Sequence, residues 1–150
     1  MDNESLKLNF SGYDILKSNL SKVKLSDELA EESDIGFLVK VTPNKNKSFD
    51  KVNIIFGIQI NPSEDFPYNI ETIMKGNFEI SNCENDEERM DFAIVNCSAI
   101  LFPYIRSFIS ALTSQLECEK LILPVMNIYE LIKDIPQIDL VNDESQFEEF

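Results

Sequence analysis

The sequence predicts an α+β fold, with an antiparallel sheet drawn from the first half of the chain and helices from the second. Three observations point there. At 150 residues the chain is one domain's worth, and dividing it would leave two thin cores. Apolar residues recur with period two through the first half and with period 3.6 from Ile105 onward. The strand-like runs follow one another through short polar connections, which favours an antiparallel meander over crossovers. Hydrophobic residues make up 43%, enough for a packed core.

The elements follow in order. Residues 1–8 form a loose acidic start. Phe10 to Leu25 carries Tyr13, Ile15, Val23 and Leu25 on one parity and Leu16 and Leu20 on the other, so a bulged or broken strand is predicted. Ser26 to Asp34 is acidic and reads as a loop or short helical turn. Phe37, Val39 and Val41 alternate in a second strand that ends in the turn cluster Pro43–Lys47. Val52, Ile54, Phe56, Ile58 and Ile60 alternate without a break, while Ile55 gives the opposite face some apolar content. After the turn at 61–65, Tyr68, Ile70, Thr72, Met74, Phe78 and Ile80 share one face, and Gly76 among them predicts a bulge or bend. Beyond a polar break at 82–88, Ile105, Phe108, Ile109, Leu112 and Leu116 form one helical stripe. Pro103 marks either the start of that helix or a kink. Leu121–Val125 is extended and apolar. Asn127 caps a last helix with Ile128, Leu131, Ile132 and Ile135, and Pro136 ends it. An acidic tail fills about 137–150.

Composition narrows the chemistry. Thirteen Lys and Arg against 27 Asp and Glu leave a net charge of −14. That surface repels phosphate, so nucleic acid and anionic membranes are poor partners, whereas a basic protein segment is a natural one. The chain has no His, which removes Ser-His and Cys-His nucleophile schemes and His-ligated metals. Cys83, Cys97 and Cys118 form no CxxC pair and fit reduced thiols, with Cys97 a small core residue. Four glycines make no phosphate cradle, and the acidic run Glu84–Glu88 lacks the glycine of a calcium loop. No metal or cofactor is therefore expected, and a non-enzymatic binding role is reached by elimination. The N-terminus carries acid where a signal peptide needs base, and no apolar run reaches the roughly 20 residues of a membrane span, which points to the cytoplasm.

The run Cys97-Ser-Ala-Ile100-Leu101-Phe102-Pro103-Tyr104-Ile105-Arg106 resembles the opening of the long helix in the SecB family of protein-export chaperones. Leu123-Pro-Val-Met-Asn127 is similar to that family's later Leu-Ala-Pro-Val-Asn segment, and Gly76-Asn-Phe78 to its Gly-Ile-Phe strand, in the same order along the chain. The resemblance is specific over residues 68–135. It implies a four-stranded antiparallel sheet with a long helix and a shorter C-terminal helix on one face. It also implies a homotetramer, a dimer of dimers, that holds unfolded client proteins in apolar grooves without ATP or any cofactor. Delivery of clients to SecA through an acidic patch would involve Glu71. SecB-like proteins also serve as chaperones of antitoxins in toxin–antitoxin systems, an alternative that differs in client rather than in physics. A purely structural oligomerising subunit is the third reading.

Two surfaces follow. A client groove is expected between Met90, Phe92 and Ile94 on the crossover and Ile128, Leu131 and Ile132 on the last helix, floored by Phe37 and Val39 and flanked by Phe78. The trio Phe37, Phe78 and Phe92 reads equally as ordinary core. Ile100, Tyr104 and Ala111 lie off the main stripe of the long helix and are expected at a subunit interface.

Overall fold

In a computed structural model, which describes residues 7–24, 29, 31, 34–43, 51–81, 88, 91–117, 123, 130 and 139–140, the alternating runs are strands. They are β1 (Lys7–Lys22), β2 (Ile35–Pro43), β3 (Lys51–Ile60) and β4 (Tyr68–Ser81). A π-helical turn, Ala93–Cys97, runs into the long helix α1, Ser98–Thr113. A two-residue strand, β5 (Asp139–Leu140), completes a sheet of order β1-β4-β3-β2-β5. The first four strands are antiparallel, and β5 joins β2 in parallel. The last helix, the acidic tail beyond Leu140, and the residues Met90, Ile128, Leu131 and Ile132 lie outside the described residues.

The predicted meander holds for β2, β3 and β4 but not for β1, which lies beside β4. Its pairing runs the whole length of β4, from Lys7 opposite Ser81 to Lys22 opposite Tyr68. A hydrogen bond from the Val23 N–H to the Pro67 carbonyl extends it. The mixed parity of β1 has a definite cause. Register shifts fall between Phe10 and Gly12 and again between Ile15 and Lys17, so Ser11 and Leu16 are the extra residues of two bulges. Each bulge switches the side-chain face. Phe10, Tyr13, Ile15, Ser18 and Leu20 consequently share the side on which their partners Phe78, Gly76, Met74, Thr72 and Ile70 lie. Leu20 is thus on the same face as Tyr13, contrary to simple alternation. Gly12 takes φ 117° at the first bulge, a backbone region that side chains with a Cβ rarely enter.

The core sits between this sheet face and α1. Val39, Val41, Val52, Ile54, Phe56, Ile58, Ile60, Ile70, Met74, Phe78 and Ile80 are buried there with Cys97, Leu101, Phe102, Ile105 and Ile109. The helix stripe is rotated from the predicted one. Leu101 and Phe102 are fully in the core, and Phe108, Leu112 and Leu116 only pack at its border. The helix also neither starts nor breaks at Pro103, which sits inside it on the exposed side. On the opposite sheet face, Ile55 and Ile73 are also completely enclosed.

Gly76 is not a bulge. Its pairing with Ile54 on β3 and Tyr13 on β1 is regular. The glycine instead admits the helix: a Cβ there would lie 2.6 and 2.7 Å from the two methyl groups of Leu101 and 2.7 Å from Cε2 of Phe78. Leu101 and Phe78 are themselves enclosed, so neither can give way at low cost. Gly76→Ala is expected to destabilise the fold by about 1–3 kcal/mol, the usual cost of overpacking. Urea denaturation checks this, and a midpoint equal to the parent's would contradict the contact.

Candidate binding and assembly surfaces

Two stretches of incompletely buried apolar surface remain. The first begins at Phe37 on β2. Its ring meets Phe56 edge-on at 6.1 Å, and Phe56 in turn meets Phe102 of α1 at 6.0 Å, a relay from the sheet margin into the core. Phe37 is half-buried, and so are Phe92 and Ile94 at the π-helical turn. That turn packs on β2 and β3. Its extra residue per turn widens the helix, and the Asn96 amide donates to the Phe92 carbonyl at 3.0 Å. Of the predicted groove residues described, Phe37, Phe92 and Ile94 therefore keep accessible area, on β2 and at the turn that packs against it. Val39 and Phe78 are not accessible: they are 0% and 1% exposed and belong to the core. Both lie on the sheet face that carries the core, as Phe37 does, but Phe37 lies nearer the end of β2 and is only partly covered.

The second stretch joins β1 to the far side of α1. Ala111 and Tyr104 are exposed and Ile100 is half-buried. Helical periodicity sets all three away from the Leu101–Ile105–Ile109 stripe. Tyr104 contacts Tyr13 at 5.1 Å and Phe10 at 5.4 Å between ring centroids, and Phe10 stacks on Phe78 at 5.0 Å. Tyr13, Ile15, Leu16 and Tyr104 are the large apolar residues with most exposure among the described residues. Sequence reading missed Tyr13, Ile15 and Leu16, because the two bulges hide which face each belongs to. Arg106, the one charged residue of α1, donates from Nε to the Leu123 carbonyl at 2.8 Å. It fastens the returning chain to the helix and is withdrawn from the outer face. That face is left with Ala99, Pro103, Tyr104, Ser107, Ala111 and Ser114, all uncharged.

Glu71 lies on the sheet face opposite α1, where Lys17 Nζ is 3.2 Å from one carboxylate oxygen and the Gln59 amide donates to the other at 3.5 Å. An acidic docking patch centred on Glu71 would have to exchange that ion pair. Among the described residues no group of three or more Cys, Asp or Glu is placed to hold a metal ion. Cys97 is enclosed, and burial pushes its thiol from an ordinary 9.0 up to about 12. Ala93–Thr113 is long and apolar enough to cross a membrane, yet it is a helix with one face packed on the sheet.

Comparison with known proteins agrees with this architecture. The sequence profile described as "Preprotein translocase subunit SecB" matches residues 18–135. The chain belongs to the SecB family. It is 30% identical over 144 residues to the uncharacterized protein MJ0357 of Methanocaldococcus jannaschii, covering 93% of this chain and 91% of that one. Among solved structures it is similar to the Mycobacterium tuberculosis SecB-like chaperone Rv1957, in complex with a ChAD peptide from the Rv1956 HigA1 antitoxin. That likeness has a TM-score of 0.64 at 16% identity, over 79% of this chain and 87% of that one. The α+β fold with its four-stranded antiparallel sheet is thus the family's fold.

The raised thiol has a testable sign. The thiolate is the form that burial penalises, so its cost to the fold is absent below pH 9 and grows as pH climbs toward 12. Cys97 should resist iodoacetamide at pH 8.5 in the native protein and react on unfolding in urea, as read by mass spectrometry of the Cys97 peptide. Rapid native labelling would contradict its burial.

Proposed function

We propose that the protein is an ATP-independent molecular chaperone that binds apolar segments of unfolded client proteins and keeps them from aggregating. The observation that carries this reading is the incomplete burial of Phe37, Phe92 and Ile94, on β2 and at the π-helical turn that packs against it, in a chain of the SecB family. Apolar burial is non-directional and worth roughly 25 cal/mol per Å², so such a surface accepts many sequences. With a net charge of −14 around it, apolar clients that also carry Lys and Arg are drawn in fastest. No step of this reading needs catalysis, a metal or a cofactor. The family description favours clients on the way to export, and the resemblance to export chaperones adds delivery to a SecA-type motor to that reading. The likeness to a SecB-like chaperone bound to an antitoxin peptide favours a dedicated antitoxin client as the second reading.

The same reading includes a cytoplasmic homotetramer. Four turns of helix with an uncharged outer face, continued by Tyr13, Ile15 and Leu16 on β1, are more apolar than a solvated surface requires. A second subunit is the natural cover.

Two outcomes are expected. The protein should suppress aggregation of a chemically unfolded test protein at equimolar subunits without ATP, followed by light scattering. Phe92→Asp should weaken suppression about tenfold or more, since it places a charge in a binding surface, while circular dichroism stays unchanged. Suppression equal to the parent's would remove Phe92 from the site, and no suppression by the parent would leave only a structural subunit. Size exclusion with multi-angle scattering should give four times the 17.2 kDa chain mass at micromolar concentration. Tyr104→Asp should lower that mass to a dimer or monomer. A parent that runs as a monomer would contradict the assembly.

A further inference from the structure

Phe92 and Ile94 are carried by the π-helical turn Ala93–Cys97, which packs on β2 and β3. An α-helix pairs each N–H with the carbonyl four residues back, and a π-turn with the one five back. The Phe92 carbonyl therefore loses the main-chain N–H of Asn96 that an α turn would give it. The side-chain amide of the same Asn96 donates to that carbonyl instead, at 3.0 Å. Just beyond the turn, the Ser98 hydroxyl is completely enclosed and has no hydrogen-bond partner among the described residues. The Ser98 main-chain N–H goes to the Val95 carbonyl, three residues back. At the far end of α1, the enclosed Thr113 hydroxyl donates to the carbonyl four residues back, that of Ile109, at 2.9 Å. The corresponding carbonyl for Ser98 is that of Ile94, inside the π-turn, and a regular α turn would bring the two together. The π-turn thus leaves a buried hydroxyl unsatisfied, which favours relaxation to α, and Asn96 supplies a bond that opposes it.

We propose that Asn96 is a positioning residue for the client surface: its amide holds the π-turn, and the π-turn presents Phe92 and Ile94. Relaxation to an α turn takes one residue out of the turn and rotates the chain ahead of it by about 100°. Each residue there then takes its predecessor's place. Phe92 moves to the exposed place of Asp91, and Ile94 to the enclosed place of Ala93. Neither keeps the partly covered apolar face that the π-turn gives it. Asn96 is itself exposed and acts through the turn. The inference rests on the chaperone reading and names the group that sets its surface. A molecule whose turn has relaxed binds a client less well, so the apparent affinity scales with the fraction in the π form.

The test uses the full chain and an extended, fluorescently labelled apolar peptide with two lysines, titrated by anisotropy. Asn96→Ala should weaken peptide binding about fivefold, the effect of losing one hydrogen bond from the π form. Adding Ser98→Ala removes the hydroxyl that gains from the α turn, and the double variant should bind within about twofold of the parent. Loss of packing alone gives no such rescue. The chain has no Trp, so Phe92→Trp provides a single reporter at the turn. Its emission should shift to the red when Asn96→Ala is added, while far-UV circular dichroism remains that of the folded protein. Parent-like affinity of Asn96→Ala, a double variant no tighter than the single one, or an unchanged emission overturns the proposal and leaves the chaperone reading intact. Binding by no form, the parent included, overturns the chaperone reading and this proposal with it.

Discussion

The insertion of Leu101 over Gly76 sets the rest of the molecule. A side chain at position 76 would meet both Leu101 methyl groups well inside contact distance, so the helix lies as close to the sheet as a glycine permits. That approach decides the rotation of α1. With Leu101 on Gly76, Ile105 and Ile109 fall on the sheet, and Tyr104 and Ala111 fall outside. It also brings Phe102 to Phe56 and so connects the core to the Phe37 margin of β2.

From this contact the division of surfaces follows. α1 is apolar nearly all round and can spend only one side on its own sheet. Its single charge, Arg106, is turned into a hydrogen bond with the Leu123 carbonyl. The negative charge of the chain therefore has to reside elsewhere, on strand faces, loops and the sequence beyond Leu140. An acidic periphery keeps a protein with apolar faces in solution and resists indiscriminate association. In the proposed function, the outer side of α1 serves assembly and the β2 margin serves clients, while the Gly76 contact sets how the helix seats on the sheet.

Much of the fold is legible in the sequence where one rule acts by itself. β3 is the clearest case: Val52, Ile54, Phe56, Ile58 and Ile60 are all buried as their alternation predicts, although Ile55 and Gly57 on the opposite face are buried as well. β1 is harder, because two bulges reset the face twice and each reset costs no visible residue type beyond Gly12. The helix stripe is recognisable but rotated, since Phe108, Leu112 and Leu116 are as apolar as Leu101 and Phe102 and only the Gly76 contact chooses between them. Aromatic residues cannot be sorted by type: Phe78 is core and Phe37 is marginal, though both lie on regular strands. The outward position of Ile100, Tyr104 and Ala111 is readable by their angle on the helix. β5 has no period at all, as two residues in an acidic run carry no pattern.

The central claim is that the molecule works by burying apolar surface of an extended partner. Isothermal titration of an unlabelled apolar peptide into the parent protein at several temperatures tests this most directly. The account predicts a dissociation constant in the micromolar range or tighter and a clearly negative heat-capacity change, the mark of apolar burial. Absence of binding, or binding with a heat-capacity change near zero, would contradict it.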